Sequence, residues 1–208
     1  MSKQGASEVH VKSVGGSDRE EVVLRGDRPA TPADWSPDGR YLAVQLHQRS
    51  GVKTGEDIWM VPLESGGKPF PFLASEFNEV GASFSPDGKW VIYASNESGR
   101  NEVYVVPFPG PGGKYQISTG GGTGAGFFKG GKEIIYGTPE NDALSVEIQA
   151  GPSGLEVGSA TKLFKVPPVL AIAATPDGER ILLAALPQVA GATRVALVTN
   201  WTAGLEKK

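Results

Sequence analysis

The chain has 208 residues, enough for one domain or two small ones, and its 39% hydrophobic and 21% charged residues exclude a generally disordered protein. A net charge of −3 excludes a nucleic-acid binder held by a large basic field, and the lack of cysteine excludes disulfides, thiolate metal sites and a cysteine nucleophile. The 29 glycines and 16 prolines are spread along the chain, which predicts many short strands separated by turns.

The opening residues, MSKQGASEVHVKS, lack an apolar stretch, so no signal peptide is expected there, and no run of about 18 apolar residues predicts membrane insertion. Residues 8–14 and 21–24 read as two strands. Residues 34–44, DWSPDGRYLAV, then open a unit that returns as SFSPDGKWVIY at 83–93, GFFKGGKEIIY at 126–136 and AATPDGERILL at 173–183. The last turn glycines, Gly39, Gly88, Gly131 and Gly178, are 49, 43 and 47 residues apart, close to the period of propeller blades. In each turn proline presets φ, aspartate bonds to its own turn and glycine takes positive φ. The third copy lacks Pro and Asp, and Gly130 and Gly131 are expected to make its turn. Each turn joins a first strand to an apolar second strand. Third strands follow at 57–63, 102–108, 143–149 and 194–200, and fourth strands near 70–73, 115–118 and 162–165.

Four meandering strands per repeat predict an all-β protein, a β-propeller of four-stranded antiparallel blades. The blades fall near 29–73, 79–119, 120–166 and 169–200 of a single domain, 1–208, with strands in 8–25 completing a blade and a tail at 202–208. Four blades either close as a small ring or form half of an eight-bladed ring completed by a homodimer. The extra third-strand candidate at 8–14 favours the dimer, because closing one four-bladed ring needs a single added strand.

SPDG turns followed by D-x-W/Y-x-x-P strands resemble the TolB-like (WD40-like, PD40) propeller repeats of bacteria. YVVPFPGPGGKYQIST at 104–119 and VALVTNWTAGLEKK at 195–208 further resemble the C-terminal propeller of bacterial eukaryotic-like serine/threonine protein kinases. That resemblance implies a sensing or interaction domain. The kinase motifs themselves, HRD, DFG and VAIK, are absent from this sequence.

Chemical motifs are sparse. GFFKGGKE at 126–133 nearly spells a phosphate-binding loop, but Glu133 stands where the magnesium-binding hydroxyl belongs, and a strand follows instead of a helix. The glycine-rich run at 120–126 reads as an inter-blade loop. No G-x-S-x-G elbow exists, and His10 and His47 are the two histidines. Asp34 and Glu79 are expected near the starts of first strands, lining a propeller axis, where paired carboxylates would suit a glycosidase, lactonase or esterase. Such acidic oxygens would also suit Ca²⁺, although no D-x-D-x-D-G loop is present, and no cofactor is expected. Trp35, Trp59, Trp90 and Trp201 read as packing between blades.

Loops 26–34, 47–56, 74–80 and 96–101 are expected to share one end of the propeller. The candidate binding residues there are Phe77, Glu79, Asp34, His47, Arg49, Arg100 and Asn101. Phe77 stands out as a large apolar residue in a loop with no evident core. The expected function is a non-catalytic binding or sensor module that presents these loops to a protein or small ligand. The rival is a small hydrolase using Asp34 and Glu79.

Overall fold

The computed structural model describes residues 7–15, 20–48, 55–151, 154–166, 169–175, 180–185 and 194–199. Its strands form four-stranded antiparallel sheets of the propeller-blade type, and the chain divides into two compact units, Met1–Thr119 and Gly120–Lys208. Among the described residues no helix is long and apolar enough to cross a membrane.

The first unit contains three sheets. β1 (Ser7–Lys12) and β2 (Glu20–Gly26) form an antiparallel pair. β3 (Ala30–Trp35), β4 (Tyr41–Leu46), β5 (Asp57–Pro62) and β6 (Phe70–Leu73) meander into the first blade. β7 (Glu79–Phe84), β8 (Trp90–Ser95), β9 (Glu102–Pro107) and β10 (Tyr115–Gln116) form the second.

The apolar runs are continuous because both faces of the first blade are covered. On one face Leu42, Val44, Leu46 and Val61 pack with Val9 and Leu24 of the β1–β2 pair. On the other, Ala43, Ile58 and Met60 pack with Ala82, Phe84, Val91, Tyr93, Tyr104 and Val106 of the second blade. Phe108 fills the seam between the blades, with edge-on ring contacts to Tyr41 at 5.0 Å, Phe84 at 5.1 Å and Phe72 at 5.4 Å.

The second unit contains β11 (Thr123–Phe128), β12 (Glu133–Gly137), β13 (Asp142–Gly151) and β14 (Gly154–Lys165) in one sheet. β15 (Val169–Ala174), β16 (Arg180–Ala185) and β17 (Arg194–Thr199) form a three-stranded sheet.

The repeated turns form as the sequence predicts, with serine as an additional anchor. In the first, Ser36 Oγ donates to Asp38 Oδ1 (2.7 Å) and accepts from the Tyr41 N–H (2.8 Å), while Asp38 Oδ1 also accepts from the Arg40 N–H (3.0 Å). Ser85 and Asp87 repeat the pattern with Lys89 and Trp90. Gly39 and Gly88 sit at φ 72° and 70°, where a side chain would be strained. In the third copy a single 3-10 turn, Lys129–Gly131, replaces the motif, with Gly130 and Gly131 both at positive φ as expected. The Pro176-Asp177-Gly178 turn lies outside the described residues, although Thr175 Oγ1 accepts from the Arg180 N–H in the place of the turn serine.

Two predicted boundaries are corrected. The segment expected as a loop at 26–34 is mostly strand, because β3 begins at Ala30. As the first strand of its sheet it tolerates Pro32, beside which the register shifts. The expected strands at 143–149 and 162–165 are parts of a longer hairpin. Its outer half, Ile148–Gly151 paired with Gly154–Val157, continues past β12. β14 is exposed along most of its length, so no apolar alternation marked it in the sequence.

Candidate functional site at the loop end of the first two blades

The antiparallel register gathers the start of β3, the end of β4, the start of β5 and the end of β6 at one end. The start of β7, the end of β8 and the start of β9 join them there. The described residues of these connections, 27–29, 47–48, 55–56, 74–78 and 96–101, therefore share one end.

Polar side chains knit this end together. Arg28, between β2 and β3, lies in the midst of the first blade's connections. Its guanidinium donates to the carbonyls of Leu46 (3.0 Å), His47 (3.1 Å) and Gly55 (2.9 Å) and forms an ion pair with Asp57. Asp57 is the first residue of the third strand. Its counterparts Glu102 and Asp142 likewise meet a cation, Arg100 Nε at 2.8 Å and Lys162 Nζ at 2.8 Å. The acid that opens each of these third strands is thus a structural lock.

The two blades are tied by Glu56 and Asn78. The Glu56 N–H donates to Asn78 Oδ1 (3.0 Å), the Asn78 N–H to Asn96 Oδ1 (2.8 Å) and the Glu79 N–H to the Glu56 carbonyl (2.7 Å). Gln45 Nε2 donates to Glu56 Oε2, and Gln45 Oε1 accepts from the Gly81 N–H (3.2 Å). His47 Nε2 shares a 2.7 Å hydrogen bond with Thr31 Oγ1, and His47 Nδ1 lies 3.5 Å from Glu56 Oε1.

Phe77 projects from the β6–β7 connection with 36% of its surface exposed. The peptide behind it is seated on Gly55, so closely that a Cβ there would fall 1.6 Å from the Phe77 carbonyl oxygen. Phe77 is part of the rim of an open cleft of about 480 Å³, lined also by Glu97, Ser98, Tyr104, Lys114 and Gln116.

The remaining predicted residues divide. Glu79 opens β7 at this end and is buried. Ser75 Oγ donates to its Oε1, its Oε2 has no hydrogen-bond partner, and burial raises its pKa against the opposing effect of Ser75. Arg100 is spent on Glu102 and on the Thr119 carbonyl (2.7 Å), and Asn101 is exposed beside it. Arg49 lies outside the described residues. Asp34 is corrected: it is the fifth residue of β3, at the SPDG end, because the strand starts earlier than expected. Its Oδ2 accepts from residues 83 and 84 at the far end of β7, roughly 15 Å along the strand from Glu79. Asp34 and Glu79 therefore form no carboxylate pair, which needs a separation below about 10 Å. Among the described residues no group of three or more histidines and carboxylates is placed to hold a metal ion.

Sequence reading missed the Glu56, Asn78 and Asn96 ties and the cleft residues Tyr104 and Lys114. Their one sequence signal is the placement of Asn78 and Asn96 directly beside strands, where short polar side chains bond to backbone.

Stacked antiparallel four-stranded sheets with SPDG turns define a β-propeller repeat protein. More particularly, the fold is the TolB-like propeller fold. The crystal structure of TolB from Acinetobacter baumannii is similar over 93% of this chain and 46% of that one, with a TM-score of 0.68 and 21% identity. A 71-residue segment, 34% of this chain, is 31% identical to the Tol-Pal system protein TolB of Hydrogenovibrio crunogenus and covers 15% of that protein. An oligogalacturonate lyase in complex with manganese shares the fold at a TM-score of 0.62 and 13% identity, over 88% of this chain and 51% of that one. The chain thus spans about half the length of these solved relatives and less of the curated one. No protein-family model matches it.

Proposed function

We propose that the chain is a non-catalytic propeller module that recognises a protein partner with the loop end of its first two blades. One observation carries this reading. The polar groups at that end are largely spent on one another, fixing a rigid frame, while Phe77 is left projecting beside an open cleft. The likeness to a Tol-Pal system protein supports a protein partner over a small ligand. The kinase-propeller resemblance at 104–119 and 195–208 supports a sensing role. Assembly into a shared ring of two chains is part of the proposal, and a concentration-independent monomer in light scattering would refute it.

The test is peptide phage display against the full chain, followed by binding of the selected peptide to variants. Phe77→Ala should weaken binding at least tenfold, and Trp35→Ala, at the opposite end of the blade, should leave it unchanged. The reverse pattern would overturn the reading.

One arrangement supports a hydrolase as the second reading. Thr31, His47 and Glu56 stand in the order nucleophile, base and orienting acid. The 3.5 Å gap to Glu56 and the competing Gln45 contact weigh against it. Turnover of an ester, lactone or glycoside that His47→Ala abolishes in a folded protein would establish it instead.

A further inference from the structure

The cleft beside Phe77 already holds a cation of the protein's own. Lys114 Nζ lies 5.2 Å from the centroid of the Tyr104 ring and forms an ion pair with Glu97. An ammonium over an aromatic face and beside a carboxylate is an arrangement by which proteins recognise cationic groups.

The surroundings are negative. Glu79 is buried, and its Oε2 has no hydrogen-bond partner. Its pKa is raised by burial, opposed by Ser75, and further raised by the charges of Asp57 and Glu97. Tyr93, whose ring lies 5.7 Å from that of Tyr104, is pushed up by burial and by the same Glu97 and Glu79. Burial, the larger cause of both shifts, disfavours charge of either sign, but the part that comes from Glu97 and the neighbouring acids favours a positive guest at the open cleft. Lys114 is a detachable occupant, since it comes from the connection before β10 and 43% of its side chain is exposed. The cleft volume, about 480 Å³, accommodates a long side chain with its flanking backbone.

We infer that this cleft recognises a cationic side chain of a partner protein, arginine ahead of lysine, and that Lys114 occupies it until the partner's residue displaces it. The inference rests on the binding-module reading and gives that module its ligand chemistry. A guanidinium lies flat on an aromatic ring and meets a carboxylate with two N–H groups, whereas a partner lysine only repeats the ammonium already present. Glu97 is the charge that selects, Tyr104 the platform and Phe77 the wall.

The test titrates the peptides acetyl-Gly-Gly-X-Gly-Gly-amide, with X as Arg, Lys, Gln or Glu, into the full chain. The readout is the NMR amide signals of Phe77, Glu97, Tyr104 and Gln116. Lys114→Met removes the resident charge and keeps much of the stem. The arginine peptide should bind this variant roughly five- to tenfold more tightly than the unaltered protein, and more tightly than the lysine peptide. Glu97→Gln should weaken arginine binding in both backgrounds. Thermal melting checks that each variant is folded, and Phe77→Ala serves in place of Glu97→Gln if that protein does not fold. Equal binding of the glutamine or glutamate peptide would overturn the cation assignment while leaving a binding module. No peptide response in the Lys114→Met protein would also overturn it, and the module reading would then be decided by the phage-selected peptide and Phe77→Ala.

Discussion

Asp34 and Phe84 are joined across one repeat: the Phe84 N–H on β7 donates to Asp34 Oδ2 on β3 at 2.7 Å, and Ser83 Oγ reinforces the contact at 2.8 Å. The carboxylate also accepts from its own Trp35 N–H at 2.8 Å. Asp34→Ala should therefore cost about 1–3 kcal/mol, because it strands a backbone donor at the seam between blades. Urea denaturation of the variant checks this. An unchanged midpoint would show that the link is idle in solution.

Arg28 and Asp57 form a mostly buried pair, with side-chain exposures of 19% and 8%. Arg28→Met leaves Asp57 uncompensated and removes the donors to the carbonyls of Leu46, His47 and Gly55. The expected loss is about 3–5 kcal/mol. Adding Asp57→Asn should recover part of it, since the stranded charge is then gone. Chemical denaturation of the single and double variants measures both effects.

Glu79 gives the fold a pH dependence of definite sign. Burial, opposed by Ser75, raises its pKa above the ordinary glutamate value of about 4.5. Below that value the group is protonated in both folded and unfolded chains. As pH rises, the unfolded chain ionises first, so stability is lost up to the folded pKa and stays lower beyond it. Glu79→Gln keeps an acceptor for Ser75 and should remove this loss. The variant should match the unaltered protein near pH 4 and equal or exceed its stability at pH 7. A deficit at pH 7 would mean that the ionised carboxylate is the stabilising form.

Gly55 should accept no side chain. A Cβ there would collide with the Phe77 carbonyl, so the 74–78 connection must move. Gly55→Ala is expected to cost about 1–3 kcal/mol and to shift the amide signals of residues 75–78. If those signals stay in place, the close seating of Phe77 on Gly55 is wrong.

What the sequence revealed and what it hid follow from range. The SPDG turns were readable because Ser36, Asp38 and Gly39 act within a few residues of one another, and the second strands because burial on both faces leaves an unbroken apolar run such as YLAVQL. The shared loop end followed from strand counting alone. Asp34 was misplaced because its strand, ATPADW, carries a proline and has no large apolar residue before Trp35, so its first part reads as a loop. Arg28 carries no signal in the sequence, since its partners at 46, 47, 55 and 57 approach only after the blade has formed. The cleft was legible at Phe77 alone: a large apolar residue in a loop is visible in one dimension, but its proximity to Tyr104 and Lys114 is not.

The outer half of the β13–β14 hairpin, Ile148–Gly151 with Gly154–Val157, runs beyond the last residue of β12 that pairs with it, Glu133 opposite Glu147. The Ile148 N–H still donates to the Lys132 carbonyl at 2.9 Å, and the amides beyond it depend on the hairpin's own pairing. Opening them requires little disruption of the sheet, so their hydrogens should exchange with solvent ahead of those on the inner half, where β12 flanks β13. One continuous pair of strands would thus carry two opening free energies, and its tip could unzip and re-form while the blade at its base stays shut.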